Sequence, residues 1–226
     1  MLEIVLASAS PRRAELLRQL GLAFTTVESG VTEEHDDESN PARLAEALAL
    51  RKARDVASRS GDVLIIAADT VVCVDGLLLG KPRDEAEARE MLRRLSGRQH
   101  EVLTGVAVID NRTGRIATHV EKTTVWMRSI ADEELNWYVQ SGEPFDKAGG
   151  YGIQGQAAVF VERLAGCYFN VVGLPLAALW QMLFRQGIKL WEGAGNSDIT
   201  APDHQRSASG GASTGAPAAT RTGEPF

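Results

Sequence analysis

Residues 64–82 read Leu64-Ile65-Ile66-Ala67-Ala68-Asp69-Thr70-Val71-Val72-Cys73-Val74-Asp75-Gly76-Leu77-Leu78-Leu79-Gly80-Lys81-Pro82. Two apolar runs flank Asp75-Gly76, a dipeptide suited to a two-residue hairpin turn. The first run is apolar at successive positions, which predicts a central strand covered on both faces. Asp69 interrupts it. A carboxylate in such a strand must be paired, hydrogen-bonded or metal-bound, because burying an isolated charge is costly. The hairpin has the reach to bring Asp69 and Lys81 to one rim of a sheet. The plain alternative is an ion pair that only fixes the fold.

Upstream, Leu2 to Ala7 predicts a short strand, followed by Ser8-Ala9-Ser10-Pro11-Arg12-Arg13. Ser10 suits a helix N-cap, Pro11 the first helical position, and Gly21 the stop. Backbone N–H groups at such a helix start favour an anion. Arg12 and Arg13 oppose the helix dipole there, and an incoming phosphate reconciles them with it. Asn40-Pro41 starts a helix to about Ser58, with Leu44, Leu48, Lys52 and Val56 on one stripe. Lys52 either snorkels from that stripe to water or points into a cleft.

Downstream, Asp84 starts a helix that Ser96-Gly97 ends, with Glu87 completing an approximate capping box. Residues 99–110 and 115–128 predict a long hairpin, residues 132–141 a helix stopped by Gly142, 157–164 a strand and 174–186 a helix. Between them lies the glycine-rich segment Asp146-Lys147-Ala148-Gly149-Gly150-Tyr151-Gly152-Ile153-Gln154-Gly155. Its glycines permit close backbone approach.

The 226 residues, 44% hydrophobic and 24% charged, suit a globular protein. A net charge of -6 argues against duplex nucleic acid as partner. No apolar run reaches membrane-spanning length, and the expected setting is the cytoplasm. Cys73 and Cys167 lack metal or disulfide spacing and are expected as buried thiols. The organisation expected is one domain over residues 1–191, then a Gly/Ala/Ser/Pro-rich tail, 192–226, predicted to be disordered. No Walker-type loop and no Ser-His-Asp or Cys-His context is present.

Taken together, Ser8 to Arg13, Glu33, Lys52, Ala68-Asp69-Thr70, Gly80-Lys81-Pro82 and Asp146 to Gly155 resemble the Maf family of nucleoside triphosphate pyrophosphatases. The resemblance covers about residues 1–190. Ala9 stands where the family often has Gly, and Gly150 where it often has Ala. The resemblance implies an α/β fold of the inosine-triphosphatase-like kind, a mixed central sheet with flanking helices and two lobes around a deep cleft. It implies hydrolysis of a nucleoside triphosphate to the monophosphate and pyrophosphate. Asp69 would be the general base, and Glu33 and Asp69 would hold Mg²⁺ or Mn²⁺. Ser8, Ser10, Arg12, Arg13, Lys52, Lys81 and Lys147 would face the phosphates. Arg12, Thr70 and Gln154 match the branch acting on dTTP and UTP. The 7-methyl-GTP branch instead carries Gln in place of Thr70 and Ser-Glu-Gly around position 154. A homodimer is also implied. Two rival readings are a phosphatase of other phosphorylated small molecules, and a non-enzymatic regulator of septum formation and cell division.

Overall fold

The computed structural model describes residues 3–31, 38 and 40–189. Its elements in chain order are β1 (Ile4–Leu6), α1 (Pro11–Gln19), β2 (Thr25–Thr26), α2 (Pro41–Ala57), β3 (Leu64–Val74), β4 (Leu77–Leu79) and α3 (Glu85–Leu95). There follow β5 (Gln99–Asp110), β6 (Arg115–Met127), α4 (Asp132–Gln140), β7 (Val161–Ala165), α5 (Tyr168–Val172) and α6 (Leu176–Arg185). The expected tail lies outside the described residues.

All seven strands join one mixed sheet in the order β2-β1-β3-β5-β6-β7, with β4 also paired to β3. β1 runs parallel to β2 and β3, while β4 and β5 run antiparallel to β3. The Asp75-Gly76 turn forms as read: both residues take positive φ, 49° and 78°. That matches the twist of the two strands it joins.

Helices cover both faces of β3, which explains its unbroken apolar sequence. On one face, Leu64, Ile66 and Ala68 pack with Leu16 and Leu17 of α1 and Leu179 and Leu183 of α6. Farther along that face, Val72 and Val74 pack with Leu92 and Leu95 of α3 and Tyr138 of α4. The opposite face of β3 lies under α2: Ile65 and Ala67 meet Ala49, Ala53 and Val56, and Val71 and Cys73 meet Leu44 and Leu48. The long strands β3 and β5 run through these clusters on both faces of the sheet.

Local chemistry explains most boundaries. Asn40 caps α2 by accepting from the N–H groups of Ala42 and Arg43 at 3.0 and 3.3 Å. Asp84 caps α3 by accepting from Glu87 N–H at 2.8 Å. The Glu87 carboxylate reaches Arg83 N–H instead of Asp84's, so the box closes one residue early.

Two expectations change, and one element was not expected. The strand expected at 157–164 begins only at Val161, after a 3₁₀ turn over Gln156–Phe160. Ala157 and Phe160 are both fully buried, three residues apart, a spacing that suits a 3₁₀ turn and not a strand. Phe160 sits edge-on to the rings of Tyr138 and Trp137. The short α5 did not stand out in its apolar sequence; Gly173, at φ 121°, ends it. Cys73 is buried and its thiol pushed up by burial, but Cys167 is only half-buried. Among the described residues no helix is long and apolar enough to cross a membrane.

Candidate active site

One side of β3 is bound along nearly its whole length by β5, from Leu64 opposite Asp110 to Cys73 opposite Glu101. The other side is shared. β1 pairs with it up to Ile66, and Ala7 N–H adds a last bond to the Ile66 carbonyl at 2.7 Å. β4 takes over only at Val72. Between them, residues 67–71 have no paired strand on that side among the described residues, and a cleft of about 1460 Å³ opens there. It lies beyond the carboxyl end of β1, where crevices in α/β sheets form.

Asp69 and Thr70 sit in the gap, and successive strand residues face opposite ways. Asp69 faces α2. Its Oδ1 accepts from Lys52 Nζ at 2.6 Å, and both side chains are about nine-tenths buried. Lys52 therefore points into the cleft and does not snorkel outward. Gly105, opposite Asp69 in β5, makes this approach possible. A Cβ at Gly105 would overlap the Ala45 carbonyl of α2.

Thr70 faces the other way, and its hydroxyl is committed to a relay. Thr104 Oγ1 donates to the Asn170 carbonyl at 3.0 Å, so the Thr70 hydroxyl donates to Thr104 at 2.9 Å. Its lone pair then accepts from Arg13 at 3.1 Å. Arg13 also donates from Nε to the Gly173 carbonyl at 2.8 Å and reaches Ser8 Oγ at 3.4 Å. Its guanidinium is thus held at several points. Ser10 occupies the N-cap of α1, but its hydroxyl makes no capping bond; its own N–H donates to Ser8 Oγ at 3.1 Å.

Across the cleft, Arg12 donates to Asp146 Oδ2 at 2.8 Å. Lys147 Nζ donates to Asp146 Oδ1 at 2.6 Å and to the Glu143 carbonyl at 2.7 Å. Partial burial pushes the Asp146 carboxyl up, but its bonds to Lys147 and Arg12 outweigh that and hold it below the usual range. The glycine-rich segment is tied to the Gly80-Lys81-Pro82 corner by Gly149 N–H donating to the Gly80 carbonyl at 2.9 Å. Gly149 has φ 72°, and a Cβ there would press on Val72 of β3, so the close approach needs glycine. Behind this segment Tyr151 meets His100 of β5, with 2.7 Å between the hydroxyl and Nε2.

Ser8, Ser10, Arg12, Arg13, Lys52, Asp69, Thr70, Lys81, Lys147 and Gln154 all line this cleft. Glu33 lies outside the described residues. Asp69 is bonded to the ammonium of Lys52, and Lys81 lines the same cleft. Sequence reasoning missed Gly105, Thr104, Asn170, Glu143 and Tyr151 as supports of the site. One signal was present for Asn170, a polar residue inside the apolar run Tyr168 to Val172. It is fully buried and donates to the Val102 carbonyl and to Thr123 Oγ1, both at 2.9 Å.

The fold is thus an α/β protein with one mixed sheet, and its cleft opens beside β3 around the buried Asp69–Lys52 pair. The particular family follows from comparison with known proteins. The family model described as "Maf-like protein" matches residues 3–186, and the chain belongs to that family. A relative from Symbiobacterium thermophilum, named dTTP/UTP pyrophosphatase, is 49% identical over 193 residues, covering 85% of this chain and 98% of its own. A second protein of that name, from Pelotomaculum thermopropionicum, is 51% identical over 187 residues, covering 83% and 98%. The solved structure of a HAM1 protein from Coxiella burnetii aligns over 82% of this chain and 100% of its own, at 19% identity and a TM-score of 0.43.

Proposed function

We propose that this chain hydrolyses nucleoside triphosphates between the α- and β-phosphates, releasing the monophosphate and pyrophosphate, with UTP and dTTP preferred. The observation that carries this is the convergence of Arg12, Arg13, Lys52, Lys81 and Lys147 on the cleft that holds Asp69. Cations placed near the buried Asp69 carboxylate suit a multiply charged ligand attacked by water. The names of the relatives, matched over nearly their whole length, support the same reading.

The chemistry asked of the protein is mostly positioning and charge stabilisation. Arg13, fixed by Gly173, Thr70 and Ser8, offers a preorganised guanidinium. Arg12 from α1 and Lys147 from the glycine-rich segment, both bonded to Asp146, bring two further cations to the cleft. Asp69 takes the proton of the attacking water, a role typically worth ~10²–10⁴-fold. Lys52 holds that carboxylate in place through its 2.6 Å bond to Oδ1. A divalent cation, Mg²⁺ or Mn²⁺, fits the hard oxygen donors here: Asp69, whose Oδ1 alone is taken by Lys52, together with substrate phosphates. Glu33 would be its second protein ligand. When bound, the cation would neutralise phosphate charge and lower the pKa of a bound water.

Gln154 lines the cleft on the glycine-rich segment. Its amide carries both a donor and an acceptor, matching the carbonyl and N–H edge of uracil or thymine. A base that leaves a polar group unpaired loses ~1–3 kcal/mol, about tenfold to somewhat over a hundredfold. Thr70 contributes by orienting Arg13, since its hydroxyl is already occupied.

The test is a panel of UTP, dTTP, CTP, GTP and 7-methyl-GTP with product analysis, with Mg²⁺ and with chelator. Pyrophosphate release, best on UTP or dTTP and abolished by chelator, is expected. Orthophosphate as the first product overturns the reaction. 7-Methyl-GTP as best substrate overturns the choice of base.

A further inference from the structure

Glu143 lines the cleft, a carboxylate where a triphosphate is to bind. It repels that ligand, so its charge calls for a compensating role. Its contacts supply one. Oε1 accepts from the Tyr138 hydroxyl at 3.0 Å, and Oε2 accepts from Gln156 N–H at 2.9 Å. The Tyr138 oxygen in turn accepts from Gly152 N–H at 3.3 Å. One carboxylate thus holds both ends of residues 152–156, the segment that presents Gln154. Burial and the neighbouring Glu143 charge push the Tyr138 pKa up, which keeps its proton available for this bond.

The glycines record how closely the segment wraps. A Cβ on Gly155 would overlap the Glu143 carboxylate. A Cβ on Gly152 would meet Lys147 Cε at 2.5 Å and Glu143 Oε1 at 3.3 Å. The segment is therefore shaped around Glu143 and the Lys147 stem, and no larger residue fits at either position without displacing them.

We propose that Glu143 is the positioning residue of the base-reading segment. It fixes the shape of residues 152–156 and so the place of Gln154. Its removal relaxes the choice between bases and leaves the phosphate chemistry running. The proposal rests on Gln154 reading the base.

The test compares the native chain, Glu143→Ala and Glu143→Gln by two measurements. The first is kcat and KM for UTP and CTP, which share sugar and phosphates and differ at the base edge. The second is amide hydrogen exchange at Gly152 and Gln156 by NMR, which needs no substrate. In Glu143→Ala the KM for UTP rises about tenfold, the scale of a net hydrogen bond lost, while kcat stays within about threefold. The preference for UTP over CTP shrinks by a similar factor. Exchange at Gln156 speeds at least about tenfold with β3 and β5 amides unchanged, which also shows that the variant is folded. Glu143→Gln keeps an oxygen for Gln156 N–H and restores most of both. Unchanged exchange at Gln156, an undiminished preference for UTP, or an equal loss of kcat on both nucleotides overturns the proposal. A native chain without preference for UTP overturns the base reading and with it the specificity role; the exchange data then still decide whether Glu143 anchors the segment.

Discussion

His100 offers a perturbation whose size follows from its surroundings. The side chain is 2% exposed, and Nε2 meets the Tyr151 hydroxyl. Nδ1 is buried with no hydrogen-bond partner among the described residues. Protonation would therefore place a charge in the core and a second N–H with nothing to receive it. Burial accordingly lowers the pKa from 6.5 to about 4. Between those values the unfolded chain binds a proton that the folded chain refuses, so stability rises with pH there. Stability is fully present above about pH 6.5 and is lost on acidification toward pH 4. Integrating between the two pKa values gives a loss of about 1–2 kcal/mol at pH 5.5 and about 2–3 kcal/mol at pH 4.5, relative to pH 7.5. At about 2–4 °C per kcal/mol, Tm falls by roughly 3–5 °C from pH 7.5 to 5.5 on this account alone. The depressed carboxyls Asp146, Asp110 and Glu134 act in the same direction but below about pH 5, near their unfolded values. His100→Gln leaves a polar atom for Tyr151 and removes the titration. Thermal unfolding of both proteins at several pH values, read as the difference between them, isolates His100, since the other histidines are common to both. Equal falls in Tm between pH 7.5 and 5.5 would refute the reasoning.

Asp69→Asn is expected to fold, because the amide oxygen still accepts from Lys52 and the pair opens onto the cleft, yet to lose at least about a hundredfold in kcat; near-native turnover in saturating Mg²⁺ removes Asp69 as base. Gly105→Ala forces α2 off the sheet at Ala45 and is expected to cost about 1–3 kcal/mol or more, seen as a lower denaturation midpoint, and to cut activity by displacing Lys52; an unchanged midpoint excludes the close approach. Arg13→Lys keeps the charge but cannot hold Gly173, Thr70 and Ser8 together, so kcat/KM should fall about ten- to a hundredfold with Tm nearly unchanged; full activity would show that charge alone suffices.

The parts of this molecule that were legible in its sequence are those fixed by neighbours in the chain. Asp75-Gly76 announced its turn, Asn40 and Asp84 their helices, and Asp69 its oddity inside an apolar strand. What pairs with Asp69 was not legible. The stripe of α2 showed that Lys52 shares a face with Leu48 and Val56, but the register of that helix on β3 is set by packing. Gly105, an unremarked glycine in a strand, takes part in setting it. Thr70 shows the same limit: its position was noticed, but its bond to Arg13 needs Thr104 and Asn170 brought from other strands and helices. The turn at Gln156–Phe160 misled because Ala-Ala-Val-Phe-Val suits a strand by composition; the burial of Ala157 and Phe160 against α4 decides otherwise.

Asp69 and Thr70 also explain why one short segment can serve a two-sided site. A strand turns successive side chains to opposite faces, so a dipeptide in the gap between β1 and β4 reaches both halves of the core. Asp69 takes the α2 side and meets Lys52; Thr70 takes the α1 side and meets Arg13. Neither α1 nor α2 needs to approach the other for their cations to share one cleft. The arrangement depends on a gap of five residues on one side of β3, with β5 continuous on the other. Continuous pairing with β5 keeps the backbone at Asp69 straight and its hydrogen bonds made, although no strand among the described residues pairs with it across the gap. The rigid side of the strand thus positions the carboxylate and the open side admits the ligand, as a base held on a scaffold strand requires.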